Sequence, residues 1–323
     1  MSASLKVGAF IPQGWKLEYS GVDAATAWAR SKEIAQLAEK IGYDHLWVYD
    51  HVETVPRREP THVFEAFTTL AAIAQHTTRV GLGQLVTCAA YRNPGLLAKT
   101  AACVDVMSDG RLVFGIGAGW FQREYQAYGY DFPSAGTRLA ILEESIEVIK
   151  RMWSEETVSY AGKHFAFDGA YCDPKPLQSS PQFWVGGGGE RKTLRIAAKH
   201  ATHTNWQVGL PEFEHKSKVL AQHCADVGRD FDSIVRTHGP DCRLFDTEAD
   251  LKKWLDAVGG GLNGKTPHDE YIANHFVGTV DMVSEQVRGF IAAGCGEVVL
   301  WFRDYPSSES LERFIAEVVP NLD

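Results

Sequence analysis

Residues 79–119, RVGLGQLVTCAAYRNPGLLAKTAACVDVMSDGRLVFGIGAG, decide how the chain is read. An apolar run of strand length (79–87) is followed by a loop and by a helix-length stretch, NPGLLAKTAACVDVMS (93–108). Pro94 falls at a first-turn position, where a missing N–H costs nothing. A second strand-like run, RLVFGIGAG (111–119), closes the unit. Strand, crossover helix and strand in this order predict a parallel sheet covered by helices.

Working outward, the same unit recurs. Strand-like LKVGAFI (5–11), DHLWVYDH (44–51), FWVGG (183–187), ATHTNW (201–206), SIVRTHGPDCRLF (233–245) and EVVLWF (297–302) alternate with helix-like stretches over 24–42, 63–76, 138–154, 190–200, 211–227, 280–294 and 308–322. Eight such units predict an α/β fold, a (β/α)₈ TIM barrel, in preference to a doubly wound sheet. VSYAGKHFAFDGA (158–170) breaks the rhythm and predicts a hairpin within an insertion near 156–180. The polar, Gly-rich region near 247–278 predicts a second insertion, with a short helix at DLKKWLDAV. No linker divides the chain, so residues 1–323 are read as one domain.

The 323 residues are 45% hydrophobic and 23% charged, which is ordinary for a globular protein, and the net charge of -9 argues against a nucleic-acid or anionic-membrane surface. Small molecules are the expected partners. The six cysteines show no C-x-x-C pair and no zinc spacing, so no metal site is expected and the thiols read as free. The N-terminus lacks a basic segment followed by an apolar core, and no run is long enough to span a bilayer, which places the chain in the cytoplasm.

In a barrel, chemistry sits where strands end. Asp50 and His51 close the second strand, a carboxylate beside an imidazole that can orient it. The alternative is a surface pair capping a loop. At the end of the third strand, Cys88 reads as a small buried hydrophobe more than as a nucleophile, since no base adjoins it. Arg92 holds an anion or pairs on the surface. GIGAGW lacks the G-x-G-x-x-G spacing of a dinucleotide fingerprint, but Gly117 and Gly119 let a flat ligand pack on the main chain, with Trp120 as a wall or a core filler. Four glycines, Gly186, Gly187, Gly188 and Gly189, precede Glu190 and Arg191 at the start of a helix, an arrangement that favours a phosphate over a tight turn.

Taken together, the DH after strand two, residues 85–133, PKPLQ, GGGGERKTLRIAAKHATHTNW and GFIAAGCGEVVLWF resemble the bacterial luciferase-like superfamily, in its branch using the deazaflavin coenzyme F420. The resemblance covers nearly the whole chain. It implies a cofactor ring across the barrel mouth, against a bulge with a cis non-prolyl peptide near Val86, Thr87 and Cys88. It also implies that Gly186 to Glu190 hold the cofactor phosphate, and that His51, with Asp50 its neighbour, faces the reactive ring edge. F420 carries carbon where a flavin has N5, so the implied reaction is hydride transfer to or from a small organic substrate, with His51 moving a proton or stabilising charge. FMN is the alternative cofactor, in a monooxygenase using oxygen; either cofactor would be reduced by a partner reductase. A non-catalytic cofactor-binding relative is a third reading. Arg191 and Lys192 form a basic fringe suited to the acidic tail of F420. The sugar-phosphate-oxidising branch carries a glutamate where Trp120 stands, and the nearest carboxylate here is Glu124, so the expected pocket is instead walled by Trp15, Trp120 and Trp206. The family usually forms dimers through barrel helices, and an exposed apolar face on 64–75 or 94–107 would serve that.

Overall fold

A computed structural model describes residues 5–258 and 266–322. Eight parallel strands, β1 (Lys6–Phe10), β2 (His45–Val48), β3 (Gly81–Gln84), β4 (Leu112–Gly117), β5 (Gln182–Gly186), β6 (His203–Trp206), β7 (Val235–His238) and β8 (Cys295–Phe302), pair in sequence order. The barrel closes where β8 pairs with β1, Lys6 opposite Glu297. Helices α1 (Ala24–Ile41), α2 (Ala66–Ala74), α3 (Pro94–Met107), α4 (Ala135–Ser154), α5 (Thr193–His200), α6 (Leu210–Asp226), α7 (Val280–Ala292) and α8 (Glu309–Arg313) follow the strands. The expected (β/α)₈ barrel is the observed fold.

Local chemistry sets the element ends. Asp23 caps α1 by accepting from the amides of Ala25 and Thr26, and Gly42 ends it with φ of 113°. Asn93 caps α3 in the same way, with Pro94 in the first turn. Inside the barrel, Trp47 of β2 and Trp184 of β5 pack with centroids 4.4 Å apart. A Cβ at Gly8 or Gly83 would lie 2.5 Å from the Trp47 indole, so glycine on β1 and β3 makes the room that tryptophan on β2 fills.

The hairpin lies where the sequence placed it, with Val158–Ala161 antiparallel to Ala166–Ala170. Glu144 of α4 accepts from the amides of Lys163 and His164 and ties its turn to the barrel. The seventh strand needs correction. Residues 233–245 are not one strand: β7 ends at His238, and Asp241–Phe245 is a separate strand, parallel to the last residues of β8 and to Phe276–Thr279. Pro240, which has no N–H to give a ladder, stands at the break. That strand opens the second insertion, whose helices Glu248–Val258 and His268–Asn274 gather on Phe245, Leu251, Leu255, Tyr271 and Val277. The remainder of the insertion, 259–265, lies outside the described residues. The C-terminal stretch expected as one helix is α8 followed by a π turn over Phe314–Val318 and a 3₁₀ turn over Val319–Asn321.

Two buried histidines make the fold acid-sensitive. His203 stacks on Trp184 at 4.7 Å and His238 on Phe290 at 4.1 Å, and burial pulls both down to about 3. Below the ordinary histidine value near 6.5 the unfolded chain takes up protons that the folded chain refuses. Stability therefore falls as pH drops from about 6.5 toward 3, by about 1.4 kcal/mol per pH unit for each histidine. Urea unfolding at pH 7.5 and 5 should show this loss, and His238→Phe should remove its own share of the slope. An equal midpoint at both pH values would contradict the assignment.

Candidate active site

The C-terminal mouth of the barrel holds a cavity of about 560 Å³. Its wall includes Trp15, Lys16, Tyr49, Asp50 and His51 from the ends of β1 and β2. Leu85, Val86 and Cys88 follow β3, Gly117 to Phe121 follow β4, and Gly186 to Gly188 follow β5. Asn205 and Trp206 at the end of β6, Gln207 just after it, and Tyr91 and Thr193 complete it. Leu85–Val86 is a cis peptide, where the resemblance placed the bulge.

His51 is held from two sides. Its ring lies flat on Trp15, centroids 4.1 Å apart and planes 5° from parallel, and Trp120 and Phe121 approach it edge-on. Its Nδ1 is 2.7 Å from Oε2 of Glu124, a carboxylate with no exposed surface. Glu124 also accepts from the amides of Val52 and Glu53 and from the Tyr91 hydroxyl. Burial opposes its ionisation, but the His51 hydrogen bond, the His51 charge and the two amides outweigh burial and hold the carboxyl below the usual carboxylate range. An ionised carboxylate has only lone pairs to offer, so the hydrogen of this contact belongs to Nδ1. In neutral imidazole that leaves the Nε2 lone pair free to take a proton.

The sequence assigned the orienting role to Asp50, and this is corrected. Asp50 turns from His51 to a two-pronged contact with Arg92, 2.6 and 2.8 Å, and accepts from the Cys88 amide at 2.8 Å. Its work is to fix the chain just after the cis peptide. Arg92, read as holding an anion or pairing, pairs: Asp50 and Glu65 take its guanidinium, and it does not line the cavity where a cofactor-binding role would place it. Glu124, expected in the substrate pocket, lies behind His51 instead of in the wall. No short-range signal joins positions 51 and 124, which are 73 residues apart and meet only because the segments that follow the second and fourth strands converge over the barrel mouth.

Cys88 does line the cavity, yet its sulfur lies 2.9 Å from the Tyr125 hydroxyl and burial pushes the thiol up to about 11, which fits an unreactive thiol. Thr87 is buried and outside the wall. Trp15, Trp120 and Trp206 do wall the cavity, Trp120 with 61% of its surface exposed at the mouth.

The glycines have different reasons to be there. A Cβ at Gly117 would come 2.6 Å from a Val86 methyl, and one at Gly186 would come 2.7 Å from the other. These two glycines seat the Val86 side chain. A side chain at Gly119 would run into the Tyr125 hydroxyl and the Cys88 sulfur. Gly187 has φ of 112°, which excludes most side chains, and Gly188 lies on the Lys216 stem. The amides of Gly188 and Gly189 have no partner within the described residues. Gly189, Glu190 and Arg191 lie past the main cavity and line a shallower neighbouring cleft with Lys192 and Thr193. The helix expected from residue 190 begins at Thr193, so these residues form the turn before it. Gly186→Ala should cost about 1–3 kcal/mol, because it drives a methyl into Val86. Chemical denaturation checks this, and an unchanged midpoint would contradict the packing.

A (β/α)₈ barrel with an aromatic cavity at its C-terminal mouth, a carboxylate-bound histidine and a glycine-lined cradle defines the class. Within it, the chain belongs to the luciferase-like monooxygenase family, which matches residues 7–297. It is similar to the F420-dependent glucose-6-phosphate dehydrogenase of Kineococcus radiotolerans, 33% identical over 96% of this chain and 98% of that one. The F420-dependent glucose-6-phosphate dehydrogenase of Amycolatopsis mediterranei is also 33% identical, over 48% of this chain and 47% of its own length. An F420-dependent secondary alcohol dehydrogenase, solved with an F420-acetone adduct, shares the fold with a TM-score of 0.85 at 20% identity, over 99% of this chain and all of that one. No helix of the described residues is long and apolar enough to cross a membrane, and no group of three or more metal-ligating side chains occurs among them.

Proposed function

We propose that this chain is an F420-dependent oxidoreductase that moves a hydride between the coenzyme and a small organic substrate. The observation that carries the reading is the His51–Glu124 pair at the edge of the glycine-lined cavity. The F420-dependent relatives support it. The residues present fit the coenzyme: Gly117 and Gly186 line the cavity against Val86 where a Cβ would clash, and the unpartnered amides of Gly188 and Gly189 suit a phosphate. When bound, the coenzyme supplies or accepts the hydride.

The chain's own contribution is proton handling and placement. With Nδ1–H committed to Glu124, His51 takes a proton at Nε2 from a substrate hydroxyl as hydride leaves, or returns it to a carbonyl in the reverse direction. Glu124 holds the ring in that tautomer and favours the imidazolium that forms. Trp15 keeps the ring flat, and Trp120 with Phe121 narrows the mouth against water. Trp120 stands where the sugar-phosphate branch has a glutamate, which points away from a sugar phosphate as substrate.

His51→Ala should lower turnover by about 10²–10⁴-fold while coenzyme affinity changes little. Unchanged turnover would remove His51 from the mechanism. Leu96, Val106 and Met107 on α3 expose apolar surface, and we infer that this face pairs two copies; Leu96→Glu should shift the mass measured by light scattering from dimer to monomer. An unchanged mass would place any dimer contact elsewhere.

A further inference from the structure

Charge is unevenly spread in the cavity wall. Among the described residues Asp50 is the one carboxylate lining it, and Arg92 already neutralises that group. Lys16 is the one cation lining it among the described residues. The Lys16 side chain is 4% exposed, and its ammonium lies 3.7 Å from the Trp301 ring centroid. Among the described residues it makes a single hydrogen bond, 3.1 Å to Oδ1 of Asp241, which leaves donors unused there.

Asp241 does not belong to Lys16 alone. Its Oδ2 accepts from the Tyr271 hydroxyl at 2.8 Å and lies 3.5 Å from Arg303, so one carboxylate is shared between two cations. Glu18 is the other carboxylate nearby. It spends its oxygens on the amides of Lys16 and Gln13, and burial pushes its carboxyl upward, toward the neutral form. Burial pulls the Lys16 ammonium down against the opposing pull of Asp241, which is the condition of a cation short of anionic company. The same wall holds further donors without acceptors: the indole N–H groups of Trp15 and Trp206 are buried and unpartnered, and both residues line the cavity.

We propose that Lys16 anchors a carboxylate of the substrate, so that the enzyme acts on small organic acids with an apolar or aromatic body. This rests on the oxidoreductase reading of the same cavity. A monoanion matches one under-neutralised ammonium and neighbouring N–H donors. A phosphate dianion would leave a second charge against Trp15, Tyr49 and Trp206 with nothing to balance it. Lys16 and His51 both pack on Trp15, so the anchor and the proton-handling group share one support. Lys16 is a specificity-determining residue on this account, separate from the reacting atoms.

The test is calorimetric titration of the F420-loaded protein with 3-phenylpropanoate and with its neutral amide, for the parent chain and for Lys16→Met. The expected result is a preference for the acid of about tenfold or more in the parent chain, lost in the variant. Should Lys16→Met fail to fold with Asp241 left short of a partner, the paired change Lys16→Met with Asp241→Asn removes both charges and must lose the preference too. Equal or undetectable binding of acid and amide, or a preference that survives either change, overturns the inference. F420 binding is read in the loading step. Its presence without an acid preference sinks the anchor alone, and its absence sinks the oxidoreductase reading with it.

Discussion

Glu124→Gln lowers turnover by roughly two orders of magnitude or more while leaving most of the coenzyme affinity in place. The carboxylate accepts four hydrogen bonds and has no exposed surface, so the substitution is nearly isosteric and the fold should survive. The hydrogen bonding around it changes. An amide has one acceptor oxygen and one NH₂, and the amides of Val52 and Glu53 both need the oxygen. The NH₂ then faces Nδ1 and can only donate to it, which moves the histidine proton to Nε2 and removes the lone pair the substrate needs. In a serine-protease triad the same carboxylate-to-amide change installs the wrong tautomer and costs about 10⁴ in kcat. Nitrogen NMR of His51 separates this from a packing defect: the parent chain should carry its proton on Nδ1 and the variant on Nε2. Equal turnover, or the same tautomer in both, would contradict the assignment.

Asp50→Ala should be the most damaging single change to stability, by about 3–5 kcal/mol, the cost of breaking one side of a buried ion pair. The Asp50 side chain is 2% exposed and Arg92 18%, and removal leaves the guanidinium with Glu65 alone and the Cys88 amide without its acceptor. Because Asp50, Val86 and Cys88 all line the cavity, coenzyme binding should weaken along with the melting temperature. Asp50→Asn keeps an acceptor for the Cys88 amide and should recover part of the loss. A melting temperature unchanged in Asp50→Ala would show that this pair contributes nothing.

These two carboxylates show what the sequence could and could not reveal. The barrel was legible because alternation of short apolar runs with amphipathic stretches is a local property, and each strand end could be listed as a site position. His51 followed from its place after a strand. Its partner did not, because adjacency in sequence pointed to Asp50, whereas residues 50 and 51 leave a strand end in different directions: one reaches Arg92 and the other Glu124. The glycine run was legible as a backbone surface. What it could not show is that Gly117 and Gly186 yield to one valine in the turn after the third strand, a requirement that exists only between segments far apart in sequence. The break at Gly239 and Pro240 is hidden in the sequence because Ile234–Val235 and Leu244–Phe245 give both flanks strand character and only two residues separate the strands.

The coenzyme is the claim on which the rest depends. Titration of the purified protein with F420 and with FMN, followed by fluorescence at physiological salt, tests it most directly. The account predicts saturable binding of F420, weakened in Gly186→Ala, and much weaker binding of FMN; tight binding of FMN with none of F420 would contradict it and move the chain to the oxygen-using side of its family.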